Sequence, residues 1–111
     1  MQKPNLENCF QLVATLHKVN TVRYTPAGIA VLDVVLQHSS QQQENGTLCQ
    51  IQFELPAKII GDSALLWQHQ EGQVVHVSGF LAQRNKKSPY PVLRIQNIQH
   101  IKVNDNGSSN I

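Results

Sequence analysis

Apolar residues recur at every second position along most of this chain, which is the period of a strand with one buried face. Phe10, Leu12, Ala14 and Leu16 alternate with Gln11, Val13, Thr15 and His17. Ala30, Leu32, Val34 and Leu36 repeat the pattern, but the opposite face of that run, Ile29, Val31, Asp33 and Val35, is too apolar for simple exposure to water. A third run starts near Thr47, with Cys49, Ile51, Phe53 and Leu55 on the buried side and Leu48, Gln50, Gln52 and Glu54 opposite. Pro56, which lacks an N–H, is expected to end its regular pairing. Val75, Val77 and Leu81 mark a fourth strand with a bulge or bend at Gly79. The fifth runs from Pro91 to Val103, where Leu93 and Ile95 alternate with Arg94 and Gln96 until the phase slips by one near Gln96-Asn97. That slip reads as a bulge.

Between these runs lie breakers. Arg23-Tyr24-Thr25-Pro26-Ala27-Gly28 reads as a turn, with Pro26 fixing one backbone angle and Gly28 free to take a positive φ. Ser39 to Gly46 is polar and ends in Asn-Gly, which suggests a flexible connection returning into a hairpin partner. Arg84 to Tyr90 is a further loop. One helix is predicted, Asp62 to Gln70, capped by Asp62 or Ser63 and packing through Leu65, Leu66 and Trp67. Three strands, a helix and two strands make the order of an OB-fold, an all-β, five-stranded Greek-key barrel. An SH3-like barrel is the other five-stranded candidate, but it would not normally place such a helix between its third and fourth strands. Residues 1–103 form the single expected domain and 104–111 a short disordered tail.

A length of 111 residues suits one core. Charge is sparse, with a formal net value of +2, while 14 Gln and 9 Asn supply much of the polar surface. An anionic partner must therefore meet a local patch, because the field of the whole molecule is weak. No apolar run reaches membrane-helix length and the N-terminus has no signal-like stretch, so a cytosolic protein is expected. Cys9 and Cys49 have no metal-ligand spacing and are expected to be small buried residues.

Several segments together resemble a known family. They are the 23–28 turn, Gln37-His38, Glu44-Asn45-Gly46, Leu55-Pro56-Ala57, Gly79-Phe80-Leu81-Ala82-Gln83 and Leu93-Arg94-Ile95-Gln96-Asn97-Ile98. In order and spacing they are similar to the primosomal replication protein N family, PriB, related to bacterial single-stranded-DNA-binding proteins, over residues 10 to 103. The resemblance implies a homodimer of OB-folds that binds single-stranded DNA in replication restart, joining the helicase PriA and the loading partner DnaT. The chain ends Asn-Gly-Ser-Ser-Asn-Ile, unlike the long linker and acidic tip of a main replicative single-stranded-DNA-binding protein.

Arg84, Lys86 and Lys87 form the densest positive cluster, in a loop that overhangs the nucleic-acid groove of OB-folds. There they would release counterions from phosphates; the plainer alternative is a solvated loop. Arg23 and Tyr24 are candidates for phosphate contact and base stacking, with packing over the barrel end as the alternative for Tyr24. Tyr90, held between Pro89 and Pro91, either stacks on a base or fixes the loop. Arg94 and Lys18 point outward toward DNA, a second subunit or water. Gln52 belongs to a face where Gln50 and Glu54 stand in place of rings, so modest affinity carried by loop charge is expected. Trp67 reads as a cap on the core. Val13, Ile29, Val31 and Val35 are the predicted dimer interface, since an exposed apolar face is unusual in a monomer; coverage by the helix or a loop is the alternative.

No cofactor or metal is expected. The five histidines are scattered, no Cys-x-x-Cys or phosphate-loop glycine pattern occurs, and Asp33, Glu54 and Asp62 fall on different elements. The sequence therefore points to a binding protein and not an enzyme. Two other functions remain open, a protein-interaction scaffold with negligible DNA affinity and a tail-less single-stranded-DNA-binding protein.

Overall fold

The computed structural model describes residues 6–102; the predicted tail at 104–111 lies outside them. Six strands and a helix follow in order: β1 (Phe10–Val19), β2 (Arg23–Tyr24), β3 (Ala30–Glu44), β4 (Thr47–Ile60), α1 (Asp62–Trp67), β5 (Val74–Asn85) and β6 (Ser88–His100). The sheet order is β1-β5-β6-β4-β3-β2, and a further β1–β3 pairing closes five strands into a barrel. β4 and β6 run parallel through Ala57–Ile59 and Leu93–Ile95; the other pairings are antiparallel. This is the OB-fold that the alternation predicts, with β2 as a two-residue addition at the edge.

Inside the barrel the predicted faces hold. Leu16, Leu32, Leu36, Val75, Val77 and Leu93 are fully buried, each contributing about 1.5–3 kcal/mol relative to exposure. Gly79 marks the predicted break. A Cβ there would lie 1.9 Å from the Arg94 carbonyl oxygen, and the β5–β6 register shifts beside it, leaving Gln96 as the extra residue.

Several expectations change. β3 and β4 continue through the polar stretch to a two-residue turn at Asn45 (φ 52°) and Gly46 (φ 76°), so 39–46 is hairpin and not flexible connection. Positive φ at both positions is the type I′ geometry that matches strand twist, so turn chemistry sets the register without burial. Pairing also continues past Pro56, opposite Val35, where β4 has not yet met β6. An edge position tolerates the missing N–H. The predicted 84–90 loop is likewise a tight hairpin, with only Lys86 and Lys87 between β5 and β6.

The helix is shorter than predicted, and Gly61 (φ 97°) occupies the N-cap without a side-chain bond. Its six residues offer one buried stripe, Ala64 and Trp67, and leave Leu65 and Leu66 outside. Trp67 does cap the core, its ring 4.5 Å from that of His100. Cys9 is exposed and Cys49 half-exposed, and Phe53 is 37% exposed, because these residues lie at or beyond the end of the closed barrel. No helix of the described residues is long and apolar enough to cross a membrane.

Candidate nucleic-acid interface

The parallel β4–β6 register sets directions for the whole molecule. Both hairpin tips, Asn45-Gly46 and Lys86-Lys87, lie before the parallel stretch in their strand pairs and so extend toward one end of the barrel. The turn at 23–28 and α1 adjoin the other end, where Gly61 donates its N–H to the Ala30 carbonyl. The structure therefore separates Arg23 and Tyr24 from the lysine tip.

At that tip, the side-chain oxygen of Asn85 accepts hydrogen bonds from the N–H groups of Lys87 and Ser88, both 2.9 Å. This Asx-type closure fixes the backbone while both lysines remain exposed. Arg84 and Tyr90 flank them, and Tyr90 is 74% exposed. None of Arg84, Lys86 and Lys87 makes an ion pair among the described residues. Exposed charge of this kind attracts phosphates without reading sequence.

The second arm, formed by β3 and β4, has a different chemistry. Its outward face carries Gln37, Ser39, Gln41 and Gln43 opposite Glu54, Gln52, Gln50 and Leu48. Gln52 thus faces outward as strand parity predicts, in a mostly amide row that offers hydrogen-bonding groups and no ring. On the inward face His38 joins the arm to the barrel: its Nδ1 lies 2.7 Å from the Val13 carbonyl oxygen and its Nε2 2.8 Å from Ser40 Oγ. The carbonyl can only accept, so Nδ1 is the donor. The ring of Phe53 lies 4.9 Å from that of His38, and a shallow cavity of about 230 Å³ opens beside them.

Arg23 is less free than its sequence suggests. Its Nε donates to Asp33 Oδ2 at 2.6 Å and its Nη2 to Oδ1 at 3.3 Å, a two-pronged pair across the β2–β3 ladder. The hydrogen bond, then the carboxylate charge, raise the guanidinium above its ordinary range. Tyr24 is 60% exposed, not packed down over the barrel end. Lys18 follows a bulge in β1 and is exposed opposite Val35, and Arg94 is exposed on the outer wall as strand parity predicts.

Sequence reasoning missed Lys58. It lies in register with Asp33 on one side and Arg94 on the other, and its place in a run of aliphatic residues was the only signal.

The apolar residues assigned to a dimer interface are not gathered into one patch. Val31 is only 4% exposed within a single chain, flanked by Arg23 and Ile60 on neighbouring strands, so it offers no free surface. Val35 is half-buried, while Val13 and Ile29 are 45% and 46% exposed. The register Thr15↔Gln37 puts Val13 level with the start of the β3–β4 arm, about 30 Å along the strand from Ile29. No group of three or more His, Cys, Asp or Glu residues that could hold a metal ion occurs among the described residues.

Comparison with known proteins agrees with this architecture. A family described as "another single-strand binding protein family" matches residues 8–97. Replication restart protein PriB of Neisseria meningitidis serogroup B is 54% identical over 86% of this chain and 95% of its own length. The Nitrosomonas europaea protein of the same name is 34% identical over 78% and 82%. Among solved structures, PriB from Ralstonia solanacearum superposes with a TM-score of 0.73 at 36% identity, covering 84% of this chain and 96% of that one. The single-stranded DNA binding protein from Thermus aquaticus gives 0.69 at 25% identity, covering 86% of this chain and 50% of that one.

Proposed function

We propose, on the premise that this chain belongs to the PriB family of replication restart proteins and to the single-strand binding protein family that matches it, that it binds single-stranded DNA as a non-enzymatic adaptor. The observation that carries the reading is the β5–β6 tip, where Arg84, Lys86 and Lys87 stand exposed beside Tyr90 without a carboxylate partner among the described residues. Three cations meet phosphates there, and one ring adds base stacking worth about 1–3 kcal/mol where it forms. The tethered protein stabilises the restart helicase PriA on the fork and helps recruit DnaT, by raising effective concentration and not by chemistry. It works in the bacterial cytoplasm as a homodimer. The first half of β1, which has β5 as its one ladder neighbour among the described residues, and the exposed Val13 on it support a twofold contact there. A Val13→Arg variant that stayed dimeric in light scattering would place the contact elsewhere.

Fluorescence anisotropy of labelled oligo-dT and of a matched duplex, titrated over a range of salt, tests the DNA reading. Single-strand preference with a log–log salt slope of about −2 to −3 is the expected result. Lys86→Ala combined with Lys87→Ala should flatten that slope by about 1.4. No binding at low salt overturns the tether and favours the second reading, an interaction scaffold. Glu54 on the arm face and the paired state of Arg23 support that alternative.

A further inference from the structure

We propose that the outer barrel wall carries a second phosphate-binding position for single-stranded DNA, formed by Lys58 and Arg94 beside Phe80, with its charge trimmed by Asp33. The inference rests on the DNA-binding reading above. Four strands place these residues in one row: Asp33 pairs with Lys58, Lys58 with Arg94, and Arg94 with Phe80. Their neighbours Leu32, Ile59, Leu93 and Leu81 face the core, so by strand alternation the row faces out.

Adjacent strands are about 4.8 Å apart, so two cations in register repel each other, and facing like charges destabilise a sheet. Neither Lys58 nor Arg94 makes an ion pair among the described residues. Asp33, the nearest carboxylate by register, already bonds Arg23 through both oxygens. An anion lying between Lys58 and Arg94 turns the repulsion into two attractive contacts. Phosphate on a nucleotide strand suits the surroundings better than an acidic peptide, because the arginines of β5 and β6 each have a ring nearby. Phe80 is opposite Arg94, and four residues further toward the tip Arg84 and Tyr90 repeat the combination. Alternating phosphate and base contacts need that alternation of charge and ring; a carboxylate peptide does not.

Asp33 has the opposite effect, since by holding Arg23 it withdraws one cation from the row. Two substitutions should therefore move affinity in opposite directions. In full-length protein, measured by the same anisotropy titration, Lys58→Ala is expected to weaken oligo-dT binding by about 3- to 10-fold and to flatten the salt slope by about 0.7. Asp33→Asn, which keeps the shape and frees Arg23, should tighten binding by a similar factor and steepen the slope by about 0.7. A gain of affinity is not a result that misfolding can produce. If wild-type protein binds and the Lys86→Ala/Lys87→Ala variant weakens as above, but Lys58→Ala and Asp33→Asn change nothing, the second position is wrong and the tip alone is the site. Weaker binding by Asp33→Asn also overturns it, as does a loss in Lys58→Ala confined to a labelled acidic peptide. Failure of wild-type protein to bind any single strand removes the underlying reading as well.

Discussion

In the barrel, Leu16, Leu36 and Leu93 expose none of their surface, whereas from Gln41 to Leu48 every residue of the β3–β4 arm is exposed. Both regions are antiparallel ladder over most of their length, but register is enforced differently. A one-residue slip in the barrel would turn Leu32, Val34 and Leu36 out to water; a slip along Gln41-Gln42-Gln43 of the arm exchanges one amide for another. The arm depends on its turn, with positive φ at Asn45 and Gly46 selecting one pairing. Burial is concentrated in the ring, and the tips, which carry exposed amides and cations, depend on turn geometry for their shape.

The largest effect expected is in the ring. Gly79→Ala puts a methyl group against the Arg94 carbonyl oxygen and should lower unfolding free energy by about 3 kcal/mol or more, read from urea denaturation. Full tolerance would mean that the bulge yields easily. Leu36→Ala should cost about 2–5 kcal/mol by the same measurement. Phe53→Ala, at a partly exposed ring on the arm, should cost about 1 kcal/mol, and equal losses at the two sites would erase the distinction between ring and arm. A comparable but local effect is expected for Gly46→Val, since a left-handed conformation costs an ordinary residue about 1–2 kcal/mol. Amide exchange should quicken over residues 41–50 while the barrel keeps its unfolding midpoint.

Smallest of all is the Arg23–Asp33 pair, which is exposed enough to contribute less than about 1 kcal/mol. Because the bond raises a base, its contribution is complete below the ordinary arginine range and is lost only above the raised value. The stability difference between wild type and Asp33→Asn should therefore be flat from neutral pH to pH about 10. A difference that changed across that window would point to another titrating partner.

The barrel was legible because burial writes a period into sequence: alternation at Ala30, Leu32, Val34 and Leu36, and the phase slip at Gln96, both reappear in three dimensions. The arms were harder to read. A strand exposed on both faces leaves no apolar signature, so Ser39 to Glu44 looks like loop although it pairs residue for residue with β4. Val31 misled for the opposite reason, since its outward parity suggested exposure while the flanking residues, Arg23 across the turn and Ile60 on β4, leave it little free surface. The Lys86-Lys87 tip was visible as a charge cluster, but the Asp33–Lys58–Arg94 row was not, because three strands supply one charge each.

Only three residue pairs, Ala57–Ile59 with Leu93–Ile95, join β4 to β6. The rest of the five-stranded ring consists of two long hairpins and a first strand that touches both. Closing a seam between distant segments loses chain entropy before its few contacts give anything back. The seam is thus expected to govern the speed of folding: Ala57→Gly should slow refolding in stopped-flow measurements, while Gly46→Val, whose effect is local to the arm, should leave the refolding rate unchanged. If the arm variant slowed refolding more, the hairpin and not the seam would be the kinetic bottleneck.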